Sequence, residues 1–233
     1  MTPPQILQPI FNEVPFKKIK IPTSLNNLIQ TEYKQMALNF KEIEGPVDWN
    51  DVIERYVRGG ISVGDSKSPR VLFAPMSPNL NEECFKTLTP IMEEWSQQKL
   101  DRVCGYGVRN YVNDSTLLLH RDVFNTHIIS CIIFIDQNSE QNWPLDFFDH
   151  QHKHHKVYFE PDEMLLYESL CVHGRIEPFN GHYYRNMYFH WKPTDWDSKP
   201  YERMKCAFKS KEDFENYYTD EQINDIKHRI VNQ

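Results

Sequence analysis

A mainly β domain of the jelly-roll type, with helices flanking it on both sides, is the α+β architecture the sequence predicts, and three observations predict it. Between Tyr106 and Trp191 the chain breaks into eight short β-rich runs: YGVRNYV, STLLLH, THIISCIIFID, WPLDFFDH, KVYFEP, EMLLYES, CVHGR and YYRNMYFHW. Turn formers separate them about every eight to twelve residues, the texture of a double-sheet barrel. Upstream, apolar residues recur at helical rather than strand spacing. Downstream, Ser210 with Asp213 and Thr219 with Gln222 form capping boxes ahead of an apolar stripe of Ile223, Ile226 and Ile230.

Each element follows from local chemistry. Ser24 can cap a helix carrying Leu25, Leu28, Ile29 and Met36, and Phe85, Leu88, Met92 and Trp95 mark a second helix before Leu100. Pro90 should kink that second helix or mark its start, because proline supplies no N–H and collides with the preceding turn. Between the two helices RGGISVGDSKSPR reads as a loop or a short edge hairpin. The organisation is one structural domain: residues 1–100 as a helical and loop segment packing on the barrel, 101–192 as the barrel core, and 193–233 as a helical appendage.

Composition removes several function classes. A net charge of -7 argues against a protein that holds a phosphate backbone with clustered Lys and Arg. The apolar run from Ile128 to Ile135, broken by Ser130, is far short of the roughly 20 residues of a spanning helix. Neither a nucleic acid nor a membrane partner is expected. MTPPQILQPIFNEVPFKKIK has no basic patch followed by an unbroken apolar run, so no secretion signal is expected. Cys84, Cys104, Cys131, Cys171 and Cys206 are odd in number and lack CxxC spacing, which suits a reducing, cytoplasmic compartment. Aromatic residues at 13% are enough to fill a core.

Two glycine patterns carry no phosphate chemistry. Gly59 to Gly64 has Walker-like spacing, but Asp65 stands where the lysine is required, and the GxGxxG pattern begun by Gly105 and Gly107 fails at Asn110.

The informative residues are His120, Asp122 and His173. Strand side chains alternate faces, so residues two apart can grip one ion while Arg121 points away, and a closed barrel brings a third ligand from a distant strand. Two imidazoles and one carboxylate leave about three coordination positions open, the arrangement of mononuclear non-heme iron oxygenases. In a chain with ten histidines a His-x-Asp triplet alone also fits a surface histidine near a turn. Its context favours the ligand reading: the triplet ends a strand, a long apolar strand follows, and a His-Gly-Arg precedes a final strand carrying a basic residue. The run DHQHKHHKV, with His150, His152, His154 and His155, could bind zinc or copper but reads better as a solvated turn between two strands. Cys131 and Cys171 read as buried fillers.

GYGVRNYVNDSTLLLHRD, THIISCIIFIDQ, WPLDFFDH and EPDEMLLYESLCVHGRIEPFNGHYYRNMYFHW together resemble the prolyl 4-hydroxylase-like branch of the 2-oxoglutarate and Fe(II)-dependent dioxygenases, over roughly residues 100 to 192. The resemblance implies a double-stranded β-helix, with Fe(II) held by His120, Asp122 and His173. It further implies 2-oxoglutarate and O2 as co-substrates, with ascorbate as an auxiliary reductant. Tyr111, nine residues before the first ligand, stands where relatives place a tyrosine that contacts the co-substrate, and it also fits an ordinary core aromatic. Ser130 falls near a pocket threonine of relatives, and equally fits a small residue in a packed strand.

The family's lysine for the distal carboxylate would fall at position 183, which here is Tyr. Arg185, on the same face as Tyr183 by alternation, is the preferred replacement and Arg175 the rival. A strand shifted by one residue would instead turn Tyr184, Asn186, Tyr188 and His190 inward. The implied activity is hydroxylation of an unactivated C–H bond, most simply on a prolyl residue of a peptide or protein. Another residue, a free small molecule, or a catalytically silent binding barrel are the alternatives.

Overall fold

The computed structural model describes residues 9–42, 64–66 and 71–201. Helix α1 spans Thr23–Met36 and buries Leu25, Ile29, Tyr33 and Met36, residues spaced three or four apart. It opens after Pro22 with no side-chain cap, so Ser24 is not the capping residue the sequence suggested. Helix α2 spans Pro78–Ser96 and starts well before Pro90, which lies inside it. Its start is fixed by Ser77, whose Oγ accepts from the Leu80 N–H at 3.0 Å, and by Pro78 in the first turn, where a missing N–H costs nothing.

The described residues contain twelve strands, in chain order β1 Phe16–Lys20, β2 Lys41–Glu42, β3 Gly64–Ser66, β4 Leu72–Ala74, β5 Leu100–Tyr111, β6 Ser115–His120, β7 Ile129–Ser139, β8 Leu145–Phe148, β9 His154–Val157, β10 Glu163–Glu168, β11 His173–Arg175 and β12 Gly181–Pro193. They form a seven-stranded sheet in the order β1-β10-β7-β12-β5-β4-β2 and a five-stranded sheet in the order β3-β6-β11-β8-β9. Every pairing is antiparallel. All eight expected runs are strands. The N-terminal segment also supplies β1 to β4, so it extends the sheets as well as packing helices on them. Of RGGISVGDSKSPR, Gly64–Ser66 form the edge strand β3 against β6, and the remainder lies outside the described residues. So does the stretch from 202 onward that carries the capping boxes.

The larger sheet is buried on both faces, which explains why β7 reads as a nearly continuous apolar run. Cys131, Ile133 and Ile135 of β7, Met164 and Leu166 of β10, and Met187, Phe189 and Trp191 of β12 pack under α1 and α2. Their alternating neighbours Ile132, Phe134, Leu165, Tyr167, Tyr184 and Tyr188 face the other sheet, against Leu145, Phe147 and Val157. This second, aromatic layer is the interior in which the candidate site lies.

The two glycines of the failed dinucleotide pattern have a packing reason. A Cβ on Gly107 would lie 1.9 Å from the Ala74 carbonyl oxygen, and one on Gly105 would meet Asn81 and the Phe189 ring. They let β4 and α2 approach β5. Gly107→Ala should therefore lower unfolding stability by about 1–3 kcal/mol in urea titration, because the obstructing atoms are backbone. An unchanged midpoint would contradict that packing.

Candidate active site

Strand β6 ends at His120, β11 begins at His173, and the antiparallel pairing sets the two residues opposite one another. Their ring centroids are 4.4 Å apart. Asp122 lies two residues beyond the end of β6, drawn in where its backbone N–H donates to the Ser169 carbonyl at 3.0 Å. Its Oδ1 sits 3.6 Å from His120 Nε2 and 3.9 Å from His173 Nε2. Ligand atoms of all three residues lie within 4.8 Å of one another, and no other such group of three or more occurs among the described residues. The side chains are 4–10% exposed.

The orientation of these groups is determined by their neighbours. His173 Nδ1 lies 2.8 Å from the Cys171 carbonyl, which can only accept, so Nδ1 carries the proton and the Nε2 lone pair faces Asp122. Tyr167 donates its hydroxyl to Asp122 Oδ2 at 3.3 Å, which leaves Oδ1 turned toward the imidazoles. Burial, with the proximity of His120 adding to it, pushes His173 down to about 4. Burial works to raise the Asp122 carboxyl, but the His120 hydrogen bond and the surrounding imidazoles outweigh it and hold the group below the usual carboxylate range. Two imidazole nitrogens and one carboxylate oxygen converging on one point form a donor set suited to a divalent metal ion with open positions.

Behind the triad runs a polar chain that the sequence did not reveal. The Ser169 hydroxyl donates to the His127 carbonyl at 3.0 Å, and Ser130 Oγ lies 2.7 Å from both Ser169 Oγ and His190 Nδ1. Burial pushes His190 down to about 3. The Ser130 hydroxyl is thus engaged by protein groups. Tyr111 is fully buried on the inner face of β5, with its hydroxyl 3.1 Å from that of Tyr188, to which Asn186 donates at 2.9 Å.

The final strand has the register that turns Tyr184, Tyr188 and His190 inward. Arg185 consequently lies on the helix-covered face. Its Nε donates to Asn110 Oδ1 at 2.6 Å, its guanidinium bonds the Tyr33 hydroxyl of α1, and Asp136 lies 3.4 Å away. Arg185 does share a face with Tyr183, its guanidinium 3.5 Å from that ring centroid, but the expectation that this face points inward is corrected by the register, which irregularities after Arg185 and Asn186 help to set. Arg175 is wholly buried in the interior, two residues from His173. Its guanidinium lies 4.5 Å from the Trp143 ring centroid and 4.1 Å from that of Tyr184, and it donates to the Trp143 carbonyl and the Tyr184 hydroxyl.

The four histidines of DHQHKHHKV occupy the β8–β9 hairpin as expected, with His152 and His154 exposed, and three of the four also lie against carboxylates. His154 pairs with buried Asp146 at 2.7 Å, His155 with Asp149 at 2.7 Å, and His150 lies 3.2 Å from Glu168 Oε2, while His152 at the turn has no such carboxylate partner among the described residues. They point to separate partners. Cys131 and Cys171 are buried, as expected of fillers.

Tyr167 and Ser169 are the site residues that sequence reasoning did not single out, and His190 entered it only as part of the alternative register of the final strand. Their available signal was a hydroxyl or imidazole at the inward alternation of β10 and β12, readable only once the inward face is known.

No protein-family model matches the chain, and no curated protein matches it. Solved structures share its architecture. HygX from Streptomyces hygroscopicus, with nickel, 2-oxoglutarate and hygromycin B bound, has a TM-score of 0.53 and 14% identity, covering 81% of this chain and 86% of that one. AviO1 from Streptomyces viridochromogenes Tue57 has a TM-score of 0.56 and 11% identity, covering 80% and 93%. A Pseudomonas putida prolyl-4-hydroxylase has a TM-score of 0.51 and 10% identity, covering 78% and 94%. At these identities the likeness establishes the fold: the chain is a double-stranded β-helix.

Tyr167→Phe removes the donor that turns Asp122 while keeping the ring, and should weaken cobalt(II) binding about 10- to 100-fold in an equilibrium titration of the metal-free protein. Unchanged affinity would remove Tyr167 from the site. The metal-free protein should also lose stability in acid. His173 and His190 stay neutral in the fold to about 4 and about 3, against 6.5 when exposed on unfolding. Their contribution is therefore complete above pH 6.5 and is lost as pH falls toward 4 and then 3. The urea midpoint should drop across that window, and less steeply in His190→Phe. Equal slopes would contradict the burial of a neutral His190.

Proposed function

We propose that this protein is a 2-oxoglutarate- and Fe(II)-dependent oxygenase that hydroxylates an unactivated C–H bond. The observation that carries the reading is the convergence of His120 Nε2, His173 Nε2 and Asp122 Oδ1 inside the barrel, with the imidazole of His173 locked in the ligand tautomer. His120, Asp122 and His173 would hold Fe(II), which, with 2-oxoglutarate and O2, supplies the oxidising chemistry. The chain's own residues orient the ligands, anchor the co-substrate and exclude water around the reacting C–H bond.

Arg175 is the proposed anchor for the distal carboxylate. A fully buried guanidinium is costly without an anion, and among the described residues no carboxylate pairs with it, while its Nε has no hydrogen-bond partner. It follows His173 by two residues, roughly 7 Å along a strand, a span suited to a five-carbon dicarboxylate. The Tyr184 and Tyr111 hydroxyls stand on the same inner face. Ser130 acts at one remove, through His190. Arg185 has its carboxylate already, in Asp136.

The lead substrate is a prolyl residue of a peptide or protein, a reading supported by the motif resemblance and by the fold shared with the bacterial prolyl-4-hydroxylase. A small-molecule substrate is the second reading, favoured by the fold shared with HygX, solved with hygromycin B. The test is succinate formation from 2-oxoglutarate under air with Fe(II), followed by mass spectrometry of a peptide library and a small-molecule set for gain of one oxygen atom. Arg175→Ala should raise the 2-oxoglutarate Michaelis constant about 10- to 100-fold, since charge-assisted hydrogen bonds are worth about 1.5 to 3 kcal/mol each. Arg185→Ala should change it little. The reverse pattern would overturn the anchor assignment.

A further inference from the structure

The polar chain behind the triad fixes a tautomer. The His127 backbone carbonyl can only accept, so the Ser169 hydroxyl donates to it, and Ser169 Oγ must accept the proton of Ser130. Ser130 Oγ, its proton committed, accepts in turn from His190 Nδ1–H at 2.7 Å. These bonds place a proton on His190 Nδ1, and the neutral ring then carries its lone pair on Nε2. Among the described residues that Nε2 has no hydrogen-bond partner, although His190 is only 4% exposed.

The surroundings of this imidazole face the metal-ligand cluster. His190 Nδ1 lies 3.7 Å from Asp122 Oδ2, and the ring centroid lies 4.0 Å from that of His127, the two planes tilted by 36°. The Tyr106 ring meets His190 edge-on at 5.6 Å and is itself 45% exposed. Nε2 is not among the enclosed polar atoms that lack a partner, so its lone pair is open to solvent at the edge of an otherwise buried ring, beside the half-exposed face of Tyr106. It suits a molecule that arrives from outside.

We propose that His190 and Tyr106 form the substrate-orienting subsite of the centre: His190 Nε2 accepts a hydrogen bond from a substrate N–H or O–H, and Tyr106 packs the saturated ring or chain that carries the reacting C–H bond. This rests on the oxygenase reading above. Two sources share the chemistry: the peptide N–H following a prolyl ring, and a hydroxyl of a saturated small-molecule ring.

Protein with isotope-labelled histidine nitrogens, loaded with zinc(II) and 2-oxoglutarate, tests this in long-range proton–nitrogen spectra near neutral pH. The His190 signals are identified by their loss in His190→Phe. We expect a protonated Nδ1 and a bare Nε2 that shifts toward a hydrogen-bonded nitrogen when acetyl-Gly-Pro-Gly-amide or methyl glucoside is added to saturation; the responding probe identifies the source. In turnover, His190→Phe should raise the Michaelis constant for that probe about tenfold. A protonated Nε2, an Nε2 that neither probe moves, or an unchanged Michaelis constant would overturn the proposal. Absence of 2-oxoglutarate turnover by the wild type would overturn the oxygenase reading instead, and is scored separately from the nitrogen spectra.

Discussion

The pairing of β11 with β6 is the constraint on which the rest of the structure depends. It sets His173 against His120 in the smaller sheet, and no local sequence feature could bring together residues so far apart in the chain. Once the two imidazoles are opposed, Asp122 needs only the turn after β6 and its backbone bond to Ser169 to reach both of them. The barrel supplies this juxtaposition through ladder hydrogen bonds and an aromatic interior. The helices seal the outer face of the larger sheet, and so leave its inner face to carry chemistry.

The inner face is organised around charge that has been taken out of water. Asp122 is surrounded by imidazoles and the Tyr167 hydroxyl, all of them buried. Arg175, a full positive charge, lies over the rings of Trp143 and Tyr184 and pairs with no carboxylate among the described residues. Polar groups in such places are costly unless something completes them. A divalent metal at one end and a dicarboxylate spanning toward the other would complete both, which is why one reading accounts for the triad and the buried guanidinium together.

Much of this was legible in the sequence. The eight β-rich runs, the two helices and the His120, Asp122 and His173 set could be read from spacing and residue type. The register of β12 could not, because both of its faces are buried: Met187, Phe189 and Trp191 face the helices, while Tyr184 and Tyr188 face the other sheet. Hydrophobic alternation identifies a face only when the opposite face is polar, and here Arg185 looked inward until α1 supplied Tyr33 as its partner. The short strands β1, β2 and β4 escaped notice for a related reason, while β3 falls in the stretch that read as a loop or short edge hairpin. FKKIK of β1 carries the lysines that protect an edge strand, and so lacks a strong apolar pattern. The engaged histidines of the β8–β9 hairpin depend on Asp146, Asp149 and Glu168, two of which lie outside the histidine run.

The most direct test of the central claim is metal stoichiometry. Metal-free protein dialysed against cobalt(II) should bind one equivalent per chain. His120→Ala, Asp122→Ala and His173→Ala should each lose that equivalent while keeping the wild-type β-sheet circular dichroism spectrum. Retention of a full equivalent by any of the three folded variants would place the metal elsewhere and contradict the account.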